Sequence, residues 1–133
     1  MGCVIVRGTI RNIGRKQQIN DFSGLRFGNI TPTDIDGIIE YKNKAFVIIE
    51  VKYGDAELPY GQRLCVERMV SDLSKPALAI IAEHSVCDEN ESIDVSKCNV
   101  REIYLCNEKK WRPPKRSFSV RELCEKFLGR YSI

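Results

Sequence analysis

The sequence predicts an α/β domain on a mixed central β-sheet: an antiparallel hairpin, then a strand–helix–strand crossover, with helices on the flanks. Three observations predict it. Residues 32–41 and 45–52 are two β-type runs separated by the polar triplet Lys42-Asn43-Lys44, the pattern of a hairpin. Leu64, Cys65, Val66, Met69, Val70 and Leu73 recur at helical spacing through residues 60–73. Ala77-Leu78-Ala79-Ile80-Ile81-Ala82 is an unbroken apolar run, as expected of a parallel strand covered on both faces.

Each element follows from local chemistry. Val4-Ile5-Val6 with Thr9-Ile10 reads as a short first strand or extended arm, and residues 14–22 as a short helix. Gly24, Gly28 and Pro32 make the approach to the hairpin irregular. Centring the hairpin on Asn43 sets Ile35 against Val51, Gly37 against Ile49, Ile39 against Val47 and Tyr41 against Ala45, an apolar face. On the other face Asp36 meets Glu50, and Asp34 meets Lys52. Gly54, Pro59 and Gly61 form the loop into the 60–73 helix, whose Gln62 lies one turn before Cys65 and Val66, near the inward face. Pro76 stops that helix, and residues 45–82 close a crossover expected to be parallel and right-handed. The polar, acidic stretch 84–99 reads as a loop. Val100–Cys106 alternates as a strand, with Val100, Glu102 and Tyr104 on one face and Arg101, Ile103 and Leu105 on the other. The last helix has a marked start: Ser119 as N-cap, Glu122 completing a capping box, and Phe118 placed to staple onto Leu123.

Composition bounds the function. A chain of 133 residues reads as a single domain, residues 1–133, able to bury a real core. No apolar run approaches the roughly 20 residues that cross a bilayer, and the first residues lack the pattern of a secretory signal. The six cysteines include no Cys-x-x-Cys pair, which speaks against a zinc ribbon and for reduced thiols in a cytoplasmic protein. Cys87 and Cys98 flank the acidic loop at a spacing that also admits a disulfide. Net charge is only +3, so charge alone marks no nucleic-acid binder. Its distribution is uneven, however. Lys109, Lys110, Arg112, Lys115, Arg116 and Arg121 gather around Trp111, while Asp88, Glu89, Glu91 and Asp94 gather in the middle. Each run is either a solvated surface or a contact for phosphate or a partner. Trp111 is read as a packing residue or a platform for a base, and His84, the lone histidine, as a structural hydrogen-bonding group.

The chemistry concentrates at one end of the hairpin. Two opposed carboxylates repel each other unless something pairs with them, and Lys52 shares their face. Two acids and a lysine on an otherwise apolar hairpin suit a hard divalent cation with oxygen ligands, Mg²⁺ or Mn²⁺.

An Asp, about a dozen residues, then Glu-x-Lys at the end of an apolar strand resembles the PD-(D/E)XK nuclease superfamily. The likeness spans about residues 30–82 and is strongest to small single-domain members of the Holliday-junction-resolvase-like and phage types. It implies a restriction-endonuclease-like core and a metal-dependent nuclease acting on DNA. By this resemblance Asp36 and Glu50 match the metal-binding acids, with the Val51 carbonyl as a further ligand. Lys52 matches the catalytic lysine, and Gln62 the glutamine that several subfamilies carry on the following helix. Two departures stand out. Thr33 separates Pro32 from Asp34, where the family has Pro directly before Asp, and the acid many members place on a preceding helix has only Asp21 as a candidate. The small size implies that a homodimer or a partner protein sets substrate choice. Two other classes compete: a non-cleaving nucleic-acid-binding module on the same fold, and an interaction subunit whose acidic 88–94 loop holds a partner.

Overall fold

A computed structural model describes residues 17–132 of the chain. The chain divides into two units, Met1–Thr33 and Asp34–Ile133. The described part of the first holds a 3₁₀ turn at Ser23–Leu25 and a tight reversal in which Phe27 and Ile30 exchange backbone hydrogen bonds. Gly28 makes that reversal with φ +65°, a left-handed conformation that glycine adopts without steric penalty. The expected first strand lies outside the described residues, as does the start of the expected 14–22 helix. Of that helix's described part only Gln17 is helical. Beyond it Asn20 Nδ2 donates to the Gln17 carbonyl, and Asp21 Oδ1 accepts from the Ser23 amide and hydroxyl. Such local side-chain bonds compete with continuation of a helix.

The second unit carries the sheet. Its strands are β1 (Gly37–Tyr41), β2 (Ala45–Tyr53), β3 (Ala77–His84), β4 (Asn99–Leu105) and β5 (Trp111–Arg112), in the order β1-β2-β3-β4-β5. The helices are α1 (Tyr60–Asp72), between β2 and β3, and α2 (Val120–Leu128). β2 and β3 run parallel, joined through α1, and every other neighbouring pair is antiparallel. This is the mixed, helix-flanked α/β sheet expected from the sequence.

The hairpin register matches the expected one from Gly37↔Ile49 to Tyr41↔Ala45. Lys42 and Asn43 turn the chain at φ 53° and 58°, and the Lys44 amide donates to the Tyr41 carbonyl at 2.8 Å. Two consecutive left-handed residues give the twist that hairpins favour. At its other end β1 stops short of the expected 32–41 span. Instead of a further ladder rung, the Val51 amide donates to Asp36 Oδ2 at 2.7 Å, so a side chain closes the hairpin.

Alternation along the strands creates two cores. On one face Val47, Ile49, Leu78, Ile80, Val100 and Ile103 pack with α2 through Val120, Leu123, Cys124 and Phe127. On the other, Ile48, Ala77, Ala79 and Tyr104 pack with Val66 and Val70 of α1. Ile80 is 1% exposed at the centre of the first core. Ile80→Ala is expected to cost about 3–4 kcal/mol, read from urea unfolding, because the lost transfer free energy adds to that of a cavity. The capping box of α2 forms as expected: the Glu122 amide donates to Ser119 Oγ, and the Ser119 amide to Glu122 Oε1, each at 3.1 Å. Ser119→Ala leaves one of those amides without its partner and is expected to cost about 1 kcal/mol in the same measurement.

β4 departs from the expected alternation. Ile81 pairs with Glu102 but Ala82 pairs with Val100, so Arg101 is the extra residue of a β-bulge. Val100 therefore joins Ile103 in the α2-side core, rather than sharing a face with Glu102 and Tyr104. The bulge also aims Arg101 at the loop after β2, where its guanidinium donates to the carbonyls of Gly54 and Ala56. Among the described cysteines, Cys65, Cys87, Cys98, Cys106 and Cys124 are all free thiols, so Cys87 and Cys98 are not bridged. Burial raises the thiol pKa of Cys98 and Cys124, which keeps both protonated.

Candidate active site

The α1 side of the sheet is apolar at its centre and charged where β2 and β3 end. Phe46, Ile48, Glu50 and Lys52 alternate onto this face of β2. Glu50 lies in the middle of the sheet, in register with the fully buried Ile81, and is itself only 3% exposed. It is the one charged residue among the described residues buried to that degree. A carboxylate in such a place costs several kcal/mol unless it is paired or protonated.

The surroundings sharpen that cost. Desolvation first, and the neighbouring Asp36 carboxylate second, push the Glu50 pKa up from 4.5 to about 7; Asp34 pushes the same way, while Lys52 and the Asp36 backbone amide oppose. Glu50 Oε1 is buried with no hydrogen-bond partner. Gln62, in the first turn of α1, donates from Nε2 to Asp34 Oδ1 at 3.2 Å and leaves its own Oε1 buried and unpartnered. The fold thus brings Asp34, Asp36, Glu50, Lys52 and Gln62 to one end of the hairpin. Asp34, expected opposite Lys52, forms no salt bridge with it among the described residues and is held by Gln62.

The donor set fits a hard cation. The two orphaned oxygens are a carboxylate and an amide carbonyl, both hard, and no soft or imidazole ligand intervenes. No group of three His, Cys, Asp or Glu among the described residues converges to form a preassembled metal cage. Asp36 has one oxygen committed to the Val51 amide, so Glu50 carries the carboxylate oxygen that is free to meet a cation. One or two carboxylates with the remaining positions filled by water and phosphate is the usual habit of Mg²⁺.

The remaining expected residues have partners of their own. Asp21 belongs to the first unit, where Ser23 occupies one of its oxygens. His84 Nδ1 accepts from the Val86 amide at 3.1 Å, and the ring meets Tyr53 edge-on at 5.5 Å, the structural role expected of it. Trp111 is a packing residue: its Nε1 donates to Glu67, and its ring sits against Tyr104 and under the Arg63 guanidinium. Arg63 also bridges to Glu102, so α1 is pinned to β4 beside the site. Glu83 was not singled out by sequence reasoning. It is the register partner of Lys52 across the parallel ladder and accepts from Asn99 Nδ2. Its signal was available, since a parallel crossover sets the C-terminal ends of its two strands side by side. Comparison with family models, with curated proteins and with solved structures returns no match.

Proposed function

We propose that this chain is a metal-dependent nuclease of the PD-(D/E)XK type with a restriction-endonuclease-like core, hydrolysing DNA phosphodiester bonds with Mg²⁺ or Mn²⁺. The observation that carries the reading is Glu50: a carboxylate buried within β2, with one oxygen unpartnered, beside a second acid and a lysine. An arrangement that destabilises the metal-free fold is the kind that survives for a site's sake. In this reading Asp36, Glu50 and the Val51 carbonyl hold the cation, which supplies a water of lowered pKa and a counter-charge for the scissile phosphate. Lys52 orients that water or neutralises charge developing on the phosphate oxygens. Gln62 holds Asp34 in place and would present its free carbonyl oxygen as an acceptor beside the cation. A homodimer, or a partner protein, sets the choice of substrate.

The test is cleavage of supercoiled plasmid and of a four-way junction with Mg²⁺, with Mn²⁺ and with EDTA. Cutting that needs metal and disappears in Glu50→Ala supports the nuclease. Absence of both cutting and DNA binding overturns it in favour of an interaction module.

A further inference from the structure

On the opposite face of the sheet from Glu50 lies a cavity of about 440 Å³ between β3, β4 and α2. Its floor is apolar and buried, formed by Leu78 and Ile103 of the sheet with Phe118, Leu123 and Phe127. Five cations line it: Arg112, Lys115, Arg116, Lys126 and Arg130. No carboxylate lines it. Arg112 is neutralised by Glu108, at 2.6 Å, and Arg116 lies 3.8 Å from Glu122. Lys126 and Arg130 form no salt bridge among the described residues. An ordinary solvated surface mixes signs of charge and has no cavity. Here positive charge of one sign rings an apolar hollow of the size of small-molecule sites.

We propose that this cavity binds a small anionic amphiphile: a compact apolar body on the Leu78–Phe127 floor, with a carboxylate or phosphate head held by Lys126, Arg130 and Lys115. Both halves of the site are needed to explain the lining. Phosphates of a nucleic-acid duplex would account for the cations but not for the apolar floor. A splayed base would need an open aromatic face, and the two rings lining the cavity, Phe118 and Phe127, are buried in its floor; Phe118 is already faced by the Arg116 guanidinium, 4.0 Å from its centroid, and by the Lys126 ammonium at 5.4 Å. These cation–π contacts hold two of the cations in place at the rim before any ligand arrives. Lys126, in the last turn of α2, also complements the helix dipole. With Arg112 and Arg116 set against carboxylates and Lys126 at the helix end, Lys115 and Arg130 are the two cations that no such contact accounts for. The proposal is independent of the nuclease reading, because it uses none of the residues around Glu50.

Calorimetric titration of the full chain with decanoate, decyl phosphate, decanol and inorganic phosphate tests it. Saturable binding of decanoate or decyl phosphate is expected, with decanol and inorganic phosphate each at least tenfold weaker; the tighter of the two amphiphiles identifies the head group. Lys126→Glu with Arg130→Glu, both at exposed positions, is expected to weaken binding at least tenfold while circular dichroism shows the fold retained. Leu105→Trp, which fills the cavity without altering charge, is expected to abolish it. Decanol binding as tightly as decanoate, or no loss on charge reversal, overturns the proposal. So does a DNA oligonucleotide whose binding falls on charge reversal while no amphiphile binds, which would make this a nucleic-acid surface.

Discussion

Lys52→Ala is expected to lower metal-dependent DNA cleavage by about 10³-fold or more, with the fold intact. Lys52 is half-buried at the end of β2, on the same face as Glu50, and is the cation that opposes the upward shift of the Glu50 pKa. Removing a preorganised charge aimed at a developing oxyanion costs about 10²–10³-fold in comparable sites, and here the water-orienting role is lost with it. Lys52→Arg separates the two contributions. A retained guanidinium restores counter-charge, yet it cannot give up a proton at any accessible pH. Partial recovery in Lys52→Arg therefore marks an electrostatic role, and none marks proton transfer. Cleavage by Lys52→Ala within tenfold of the parent protein would remove Lys52 from the site, and circular dichroism of the variant guards against loss through unfolding.

Without metal, Glu50→Gln is expected to make the protein more stable at alkaline pH and to leave it unchanged in acid. The Glu50 carboxyl ionises near 4.5 in the unfolded chain and near 7 in the fold. Between those values the folded state holds the extra proton. Stability therefore falls as pH rises from the lower value through the higher, and levels off above it. The full penalty is roughly 3 kcal/mol, reached at about pH 8.5 and nearly absent at about pH 4. Glutamine carries no charge to desolvate, and its amide can donate to Asp36. Urea unfolding in EDTA at the two pH values gives the difference directly, and a gap that does not change with pH would refute it. Mg²⁺ is expected to stabilise the parent protein at alkaline pH and to have little effect on the glutamine variant, since the cation replaces the missing counter-charge.

The parts of this molecule legible in the sequence are those where one local rule acts without competition. The hairpin register followed from the polar turn at Lys42-Asn43-Lys44, which sets the pairing, and from alternation, which rules out a one-residue slip that would part Ile39 from Val47 and Ile49. Ser119 and Glu122 announced the start of α2 through their spacing alone. Asp36 and Glu50 came together because cross-strand neighbours can be counted from a turn. Less legible were features that depend on which strand lies next to which. β5 is two residues long, too short to show any period, and exists because Trp111 finds Tyr104. Glu83 becomes the neighbour of Lys52 only once β2 and β3 pair in parallel. The early end of β1 was hidden because Asp36 offers two kinds of acceptor, main chain and side chain, and the carboxylate takes the Val51 amide. The cavity on the α2 side was also out of reach. Its cations are spread from Arg112 to Arg130 and meet only when α2 docks on the sheet.

The extra residue in β4 bears on how this chain tolerates changes of length. Deleting Arg101 would remove the extra residue and, with β3 fixed, leave Val100 opposite Ala82 and in the α2-side core. The same deletion would release the carbonyls of Gly54 and Ala56, which hold the connection leaving Lys52 on its way to Gln62. A one-residue gap at this point therefore leaves the core in register and is felt at the site. Gaps in the 88–94 loop, whose residues are all exposed, touch neither. Among chains descended from a common ancestor with this one, variation in length is expected to collect in that loop and to spare the bulge.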